Sequence, residues 1–177
     1  MVSMEALQAI FTRRSVRDYT EKDVSDEMVE TLLHAAMIAP STVNNQDWAF
    51  VVVREHKILE ELADGLNGSG EMLRHAPVAI VVCGNWNTAY RYAKDYWIED
   101  CSAATENILI AANALGLGAV WLGTYPQTDK MQHVSKTLEL PETIIPMCVV
   151  SIGWPASLKE SAVDERFDPE KIHLNKW

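Results

Sequence analysis

The sequence predicts a single domain in which helices alternate with short buried strands. The chain has 177 residues, of which 48% are hydrophobic, and this length can bury a core without disulfides or metals. Its 8 Gly and 7 Pro exclude collagen-like and low-complexity classes. No linker, charge block or internal repeat divides the chain, so we expect residues 1–177 to form one unit. Taken alone, the alternation of elements favours a parallel sheet.

Helical spacing and capping predict the elements of the first half of the chain. Met4, Leu7, Ile10 and Phe11 mark one face of a first helix. Ser25 is expected to cap a second helix that ends before Pro40. The remaining elements of this half are a strand over 48–53, a helix over 57–63 and a strand over 78–83.

The second half is dominated by a long helix over about 94–115, which Gly116 and Gly118 end. Its apolar and small residues cover more than one face, so it must be buried on several sides, in a core or against another subunit. Strands over 119–122 and 147–152 flank a helix over 129–138 capped by Thr128. The tail after Gly153 ends in Ile172, Leu174 and Trp177, which predicts that it docks on a surface.

Charge and cysteine usage limit the partners and the compartment. Fifteen basic and 25 acidic residues give a net charge of −10, the wrong sign for a non-specific nucleic-acid binder or for an anionic membrane surface. The longest apolar runs are too short to span a bilayer, and we find no secretory signal. The three cysteines form no CxxC pair and the five histidines no ligand spacing, so we expect buried thiols, no metal site and a cytoplasmic protein.

Three segments contain candidate functional residues. Arg13, Arg14 and Arg17 place three of the fifteen basic residues within five positions, beside Ser15; guanidinium groups suit phosphate, although the segment could equally be a solvated loop. Residues 41–47 are polar except for Val43, which suits the edge of a heteroaromatic ring or an ordinary connection.

The third segment, 116–124, resembles a dinucleotide fingerprint only superficially. A helix precedes its glycines and a strand follows them, which excludes a Rossmann site, but flat ligand atoms could approach Gly123 closely. Glu99 and Asp100 are neighbours on the long helix and point about 100° apart, so they cannot easily act as an acid/base pair.

In order along the chain, four segments together resemble the nitroreductase family of flavoproteins: RRSVRDYT (13–20), APSTVNNQDW (39–48), GLGAVWLGT (116–124) and ERFDPEKIHLNKW (165–177). The resemblance covers essentially the whole chain. It implies an α+β fold, a three-layer αβα sandwich whose central sheet is mixed and mainly antiparallel. It also implies a homodimer with FMN at the interface, in which the tail, about 154–177, embraces the partner. We follow it over the parallel arrangement.

The resemblance also implies which residues bind FMN. Arg13 and Arg166 are expected to hold the phosphate, and Arg17 to reach the ribityl and pyrimidine end, where it stabilises negative charge on the reduced flavin. The full expected set is Arg13, Arg14, Ser15, Arg17, Pro40, Ser41, Thr42, Asn44, Gln46, Leu122, Gly123 and Arg166, with residues 40–46 coming from the other subunit. Asp47 stands where the family commonly has proline, which makes the presentation of Gln46 less rigid.

The implied activity is an FMN-dependent NAD(P)H oxidoreductase. It reduces nitroaromatics, quinones or similar electron-poor acceptors by ping-pong hydride transfer through flavin N5. We nominate no catalytic acid or base from the protein. The alternatives are another flavin-dependent activity on the same scaffold (dehalogenation or oxidation of a specific metabolite), a non-catalytic FMN-binding module, or an interaction domain without a cofactor.

Overall fold

Five α-helices and four strands make up the part of the chain that the computed structural model describes, residues 5–157 and 166–177. Met4 of the first predicted helix and residues 158–165 of the tail lie outside this part. The helices are α1 (Ala6–Thr12), α2 (Asp26–Met37), α3 (His56–Asp64), α4 (Trp97–Ala114) and α5 (Thr128–Thr137). The strands are β1 (Trp48–Val53), β2 (Val78–Asn85), β3 (Gly118–Gly123) and β4 (Ile144–Gly153).

The strands form one sheet in the order β1-β2-β4-β3, and every neighbouring pair is antiparallel. Val81 of β2, for example, lies opposite Val51 on one side and Val149 on the other. The expected α+β fold is confirmed, and the parallel sheet favoured by simple alternation is wrong. Among the described residues, parallel pairing occurs at a single bridge, between Ser15 and Ala119 of β3.

Helices cover both faces of the sheet, which gives the three layers. Alternate side chains of a strand point to opposite faces, and all those of 78–83 in β2 are fully buried. Val78, Ile80 and Val82 join the core formed with α2 and α4. Ala79, Val81 and Cys83 join the core formed with α3 and α5.

Helix α4 is buried on several sides within the chain, as its composition predicts. It packs between the sheet and α2, where Asn107 Nδ2 donates to the Ala35 carbonyl at 2.8 Å. Near its end, Asn113 Nδ2 donates to the Ala9 carbonyl of α1 at 2.9 Å. At its start, the Trp97 ring fills the space left by Gly84 of β2, where a Cβ would come within 2.3 Å of the ring.

Most element ends agree with the sequence, with a few differences. Ser25 caps α2 by accepting from the Met28 amide at 3.4 Å. Thr128 is the first residue of α5 rather than its cap, which is Gln127. The predicted apolar face of α1 does not face the core, since Leu7, Ile10 and Phe11 are exposed. Ala9 is the buried residue of this helix. Within the described residues, no helix combines the length and apolar character that crossing a bilayer requires.

Candidate functional site

The segment Arg13–Arg17 is laid against the outer edge of the sheet. The Val16 amide donates to the Ala119 carbonyl at 3.0 Å, and Ser15 pairs with Ala119. Gly118 makes this approach possible, since a Cβ there would lie 2.6 Å from the Val16 side chain. The contact fixes the backbone of the segment, and the side chains of Ser15 and Arg17 face solvent.

The arginines of this segment differ in what they already contact. Arg14 Nη1 donates to the carbonyls of Phe11 and Arg13, at 2.9 and 2.8 Å, and so caps the end of α1. Arg13 Nε lies 3.5 Å from Glu106 Oε1 of α4, a carboxylate that is about half exposed. Part of the donor capacity of Arg14 is therefore used by the backbone. Arg13 and the exposed Arg17 can turn towards an anion, and Arg166 of the tail is also exposed.

Residues Pro40–Gln46, here the asparagine loop, are closed by their own hydrogen bonds. The Gln46 amide donates to Ser41 Oγ at 3.0 Å, and Gln46 Nε2 donates to Asn44 Oδ1 at 2.9 Å. Thr42 ties the loop to the first turn of α4, because its amide and hydroxyl both donate to Asp100 Oδ1, at 2.9 and 3.2 Å. The loop thus has a defined shape without help from a ligand.

The backbone of the asparagine loop is strained. Val43, Asn44 and Gln46 adopt φ angles of 49°, 58° and 52°. Left-handed backbone is unfavourable for residues other than glycine, most of all for a β-branched one, and it persists where the surrounding contacts enforce it. Strain of this kind clusters at ligand-binding sites. Here the strained segment lies at the surface, with Val43 70% exposed.

The end of β3 offers an open backbone edge. The Leu122 side chain is buried, whereas Gly123 is exposed, and a Cβ added to Gly123 would meet nothing within 4 Å. The next residue is held firmly: the Thr124 amide donates to the Met147 carbonyl at 3.0 Å and its hydroxyl to the Pro146 carbonyl at 2.9 Å. A flat group can therefore approach Gly123 next to a backbone that two hydrogen bonds hold in place.

The asparagine loop and the arginine segment contact α4 at different points. The loop contacts Asp100 and Arg13 contacts Glu106, six residues further along, which is about 9 Å of helix at 1.5 Å per residue. The arginine segment instead pairs with Ala119 of β3, and Gly123 is the last residue of the same strand. That the asparagine loop serves a site on another subunit stays a prediction.

Sequence reasoning missed a buried pair of carboxyl groups behind the loop. Asp47 is 0% exposed and Asp100 is 4% exposed. Burial raises the pKa of Asp47, and Asp100 raises it further, both by its negative charge and as an acceptor for the protonated form of Asp47. Asp47 is noticeable in the sequence as an acidic residue directly before a buried strand, but its partner is 53 positions away. In the described part of the chain, no group of three or more His, Cys, Asp or Glu could hold a metal ion.

Comparisons with known proteins agree with this architecture. The family model described as the Nitroreductase family matches residues 10–69 and 60–154. A protein of Archaeoglobus fulgidus, provisionally named NADH dehydrogenase/NAD(P)H nitroreductase, is 46% identical over 98% of this chain and 99% of that one.

Two solved structures are similar over nearly the whole chain. The FMN-dependent nitroreductase of Clostridium difficile has a TM-score of 0.88 and 30% identity, covering 97% of this chain and 99% of that one. A provisionally named nitroreductase of Desulfovibrio desulfuricans, in complex with FMN, has a TM-score of 0.81 and 33% identity, covering 99% of each chain. With a family model that matches most of its length and a relative at 46% identity, this chain belongs to the nitroreductase family.

Proposed function

We propose that this protein is an FMN-dependent NAD(P)H oxidoreductase that reduces nitroaromatics, quinones or similar electron-poor acceptors. When bound, the flavin supplies the chemistry by accepting a hydride at N5 from the nicotinamide and passing it to the acceptor in a second half-reaction. The observation that carries the proposal is that β3 holds both the arginine segment, at Ala119, and the open edge at Gly123. These positions are four residues apart, about 13 Å along a strand.

The residues present suit such a cofactor. In a chain of net charge −10, the half-buried Arg13 and the exposed Arg166 carry guanidinium groups that can form paired hydrogen bonds with phosphate. We assign phosphate binding to these two residues, with Ser15 adding a hydroxyl. Arg17 is assigned to stabilise the negative charge that the flavin gains on reduction. Leu122 and Gly123 supply backbone groups, and Arg14 fixes the direction of the segment by capping α1.

The asparagine loop is assigned to the flavin ring, from the other subunit of a homodimer. Pro40, Ser41, Thr42, Asn44 and Gln46 are exposed or half-buried in this chain, and hydrogen bonds to Asp100 and within the loop fix the loop's shape. The described tail exposes large apolar side chains, with Leu174 at 84% and Trp177 at 101%, and burying them against a partner favours the dimer. Three free, buried thiols agree with a cytoplasmic location.

The decisive experiment starts from the visible spectrum of the purified protein. We expect a bound flavin that NADH or NADPH bleaches within seconds under anaerobic conditions and that a quinone or nitroaromatic then reoxidises. Colourless protein that does not take up added FMN would contradict the cofactor. Bound flavin that is reduced slowly by both nucleotides would favour dehalogenation or oxidation of a specific metabolite. Flavin that never turns over would favour a non-catalytic module.

A further inference from the structure

Asp47 and Asp100 bring two carboxyl groups together in the interior, behind the asparagine loop. Asp47 is the residue directly before β1, and Asp100 lies in the first turn of α4. Among the described residues, no donor makes a well-formed hydrogen bond to either carboxyl oxygen of Asp47 or to Asp100 Oδ2. Two adjacent carboxylates with three of their four oxygens lacking such a donor are unfavourable in a buried site, and binding one proton between them removes the conflict.

Among the described residues, no cation contributes to the pKa of the Asp47 carboxyl group. The groups that shift its pKa are the Asp100 carboxyl group, its own backbone amide and the Asn45 side chain, and the two amides lower the Asp47 pKa less than burial and Asp100 raise it. Cys101 of α4 lies beside both carboxyl groups, with Cys83 of β2 and Cys148 of β4 behind it.

These thiols do not supply a charge either. Burial raises the pKa of Cys83 and of Cys148 to about 12, and it raises the pKa of Cys101 as well. All three are neutral at pH 7. A proton is therefore the positive charge that this site can gain from solvent.

The two carboxyl groups have different tasks. Asp100 Oδ1 accepts from both the amide and the hydroxyl of Thr42, and charged acceptors make the stronger hydrogen bonds. Thr42 does not donate to Asp47, whose neighbour in the loop is the Asn45 side chain. The backbone of Asp47 is fixed, because its carbonyl accepts from the Asn85 amide at 2.6 Å. The anionic member is thus Asp100 and the protonated member is Asp47.

We propose that Asp47 and Asp100 share a single proton, and that this pair positions the asparagine loop for ligand binding. The protonated Asp47 donates to Asp100 and leaves Asp100 Oδ1 to hold Thr42. Loss of the proton would place a second negative charge beside Asp100 and directly after Gln46, whose backbone is already strained. Asp47 is a positioning residue in this scheme. The part of the inference that concerns the ligand rests on the proposed FMN site.

The pH dependence follows from the direction of the Asp47 pKa. The folded state keeps this proton above the ordinary pKa of 3.8, whereas the unfolded chain loses it there. Because the folded state binds more protons in that range, the stability of the wild type falls as pH rises through the raised pKa. Asp47→Asn keeps a neutral donor beside Asp100 and has no proton to lose, so its stability does not fall in this way.

The first test concerns the proton and does not require FMN. Infrared spectra at pH 7 should contain the carbonyl band of a protonated carboxylic acid in the wild type and in Glu99→Gln, but not in Asp47→Asn. Glu99 is the matched control because it is exposed and lies in the same turn of α4. Between pH 4 and 8 the unfolding temperature of Asp47→Asn should rise relative to the wild type. Absence of the band in the wild type would overturn the shared proton.

The second test concerns positioning. FMN dissociation constants from flavin fluorescence should be equal within twofold for the wild type and Asp47→Asn, and at least tenfold higher for Asp47→Leu, which leaves Asp100 without its donor. Equal affinity of a folded Asp47→Leu would contradict positioning. If Asp47→Leu does not fold, a tenfold loss of FMN affinity in Asp47→Asn would contradict positioning instead. If the wild type binds no FMN at all, the proposed function fails while the infrared and unfolding data still decide on the pair.

Discussion

The contacts of each arginine in the Arg13–Arg17 segment decide what it can do for a ligand. Arg14 is committed to two backbone carbonyls. Arg13 makes an ion pair of 3.5 Å with a half-exposed carboxylate, and pairs of that kind contribute little to stability. Arg13 would therefore lose little free energy if it left Glu106 and bound a phosphate group instead. Removing Arg13 should affect ligand affinity much more than folding.

The double variant Arg13→Ala, Arg166→Ala should release FMN and leave the protein folded. Each charge-assisted hydrogen bond to phosphate contributes about 1.5–3 kcal/mol, so we expect affinity to fall by at least a hundredfold. Flavin content after gel filtration measures the loss. Arg74→Ala is the control, because Arg74 pairs with Asp64 and Glu71, away from the proposed site, and it should keep its flavin. Unchanged occupancy in the double variant would remove the phosphate assignment.

Gly123→Ala should weaken FMN binding without destabilising the chain. A Cβ at Gly123 meets open space and its backbone is not left-handed, so the alanine fits and restricts the unfolded chain, worth about 0.4–1 kcal/mol of added stability. If the flavin lies against this edge, the same methyl group displaces it, and we expect at least a tenfold loss of affinity. Fluorescence titration and urea unfolding measure the two effects. Loss of stability with unchanged affinity would contradict the assignment.

At this scale the sequence reveals charges and polar runs but not distant partners. The arginine segment is visible because three guanidinium groups stand close together in an acidic chain. The pairing of Asp47 with Asp100 is not, because it depends on how β1 is placed against α4. The left-handed backbone at Val43 was equally hidden, since a β-branched residue is a poor candidate for that conformation.

At the scale of elements, the hydrophobic pattern locates strands but not their direction. Fully buried strands such as β2 are apolar throughout, in parallel and antiparallel sheets alike, so the alternation of helix and strand misleads. Helices α3 and α5 each return the chain to a neighbouring strand that runs in the opposite direction, whereas α4 connects β2 to β3, which run in the same direction with β4 between them. The resemblance of four segments to one family supplied the antiparallel arrangement that the pattern could not.

The contact between β2 and the start of α4 positions the turn that holds Thr42. Trp97 begins α4 three residues before Asp100, and its ring lies against Gly84. Displacing the ring therefore moves the first turn of α4, and with it the acceptor on which the asparagine loop depends.

Gly84→Ala should destabilise the protein by about 1–3 kcal/mol, the usual cost of an extra methyl group in a packed core. The new Cβ would lie 2.3 Å from the Trp97 ring, so the ring must shift. Denaturant unfolding measures the loss, with Gly123→Ala as the matched glycine substitution in open space. Adding Trp97→Leu should cost less in the Gly84→Ala background than in the wild type. Additive losses would show that the ring and the methyl group do not compete.

At the scale of the whole molecule, one chain leaves several apolar surfaces uncovered. Leu7 and Phe11 of α1 are more than half exposed, and so are Phe167, Leu174 and Trp177 of the tail. Monomers rarely expose such residues together, and the tail residues make up no α-helix or strand in the described chain that could bury them. The sequence already predicted that the tail docks on a surface. The sequence did not predict which surface the tail contacts, because the hydrophobic pattern of a segment carries no information about the surface that binds it.

The double variant Leu174→Ser, Trp177→Ser should dissociate the proposed homodimer and release FMN with it. Burial of a large apolar side chain contributes about 1.5–3 kcal/mol, and each substitution acts twice in a symmetric dimer. We therefore expect the dimer dissociation constant to rise by at least a thousandfold. Sedimentation velocity at several protein concentrations measures it. Lys176→Ser, in the same exposed stretch, is the control and should remain dimeric. Dimers that persist with flavin bound would show that the tail does not embrace the partner, and a wild type that is monomeric with flavin bound would place the whole site within one chain.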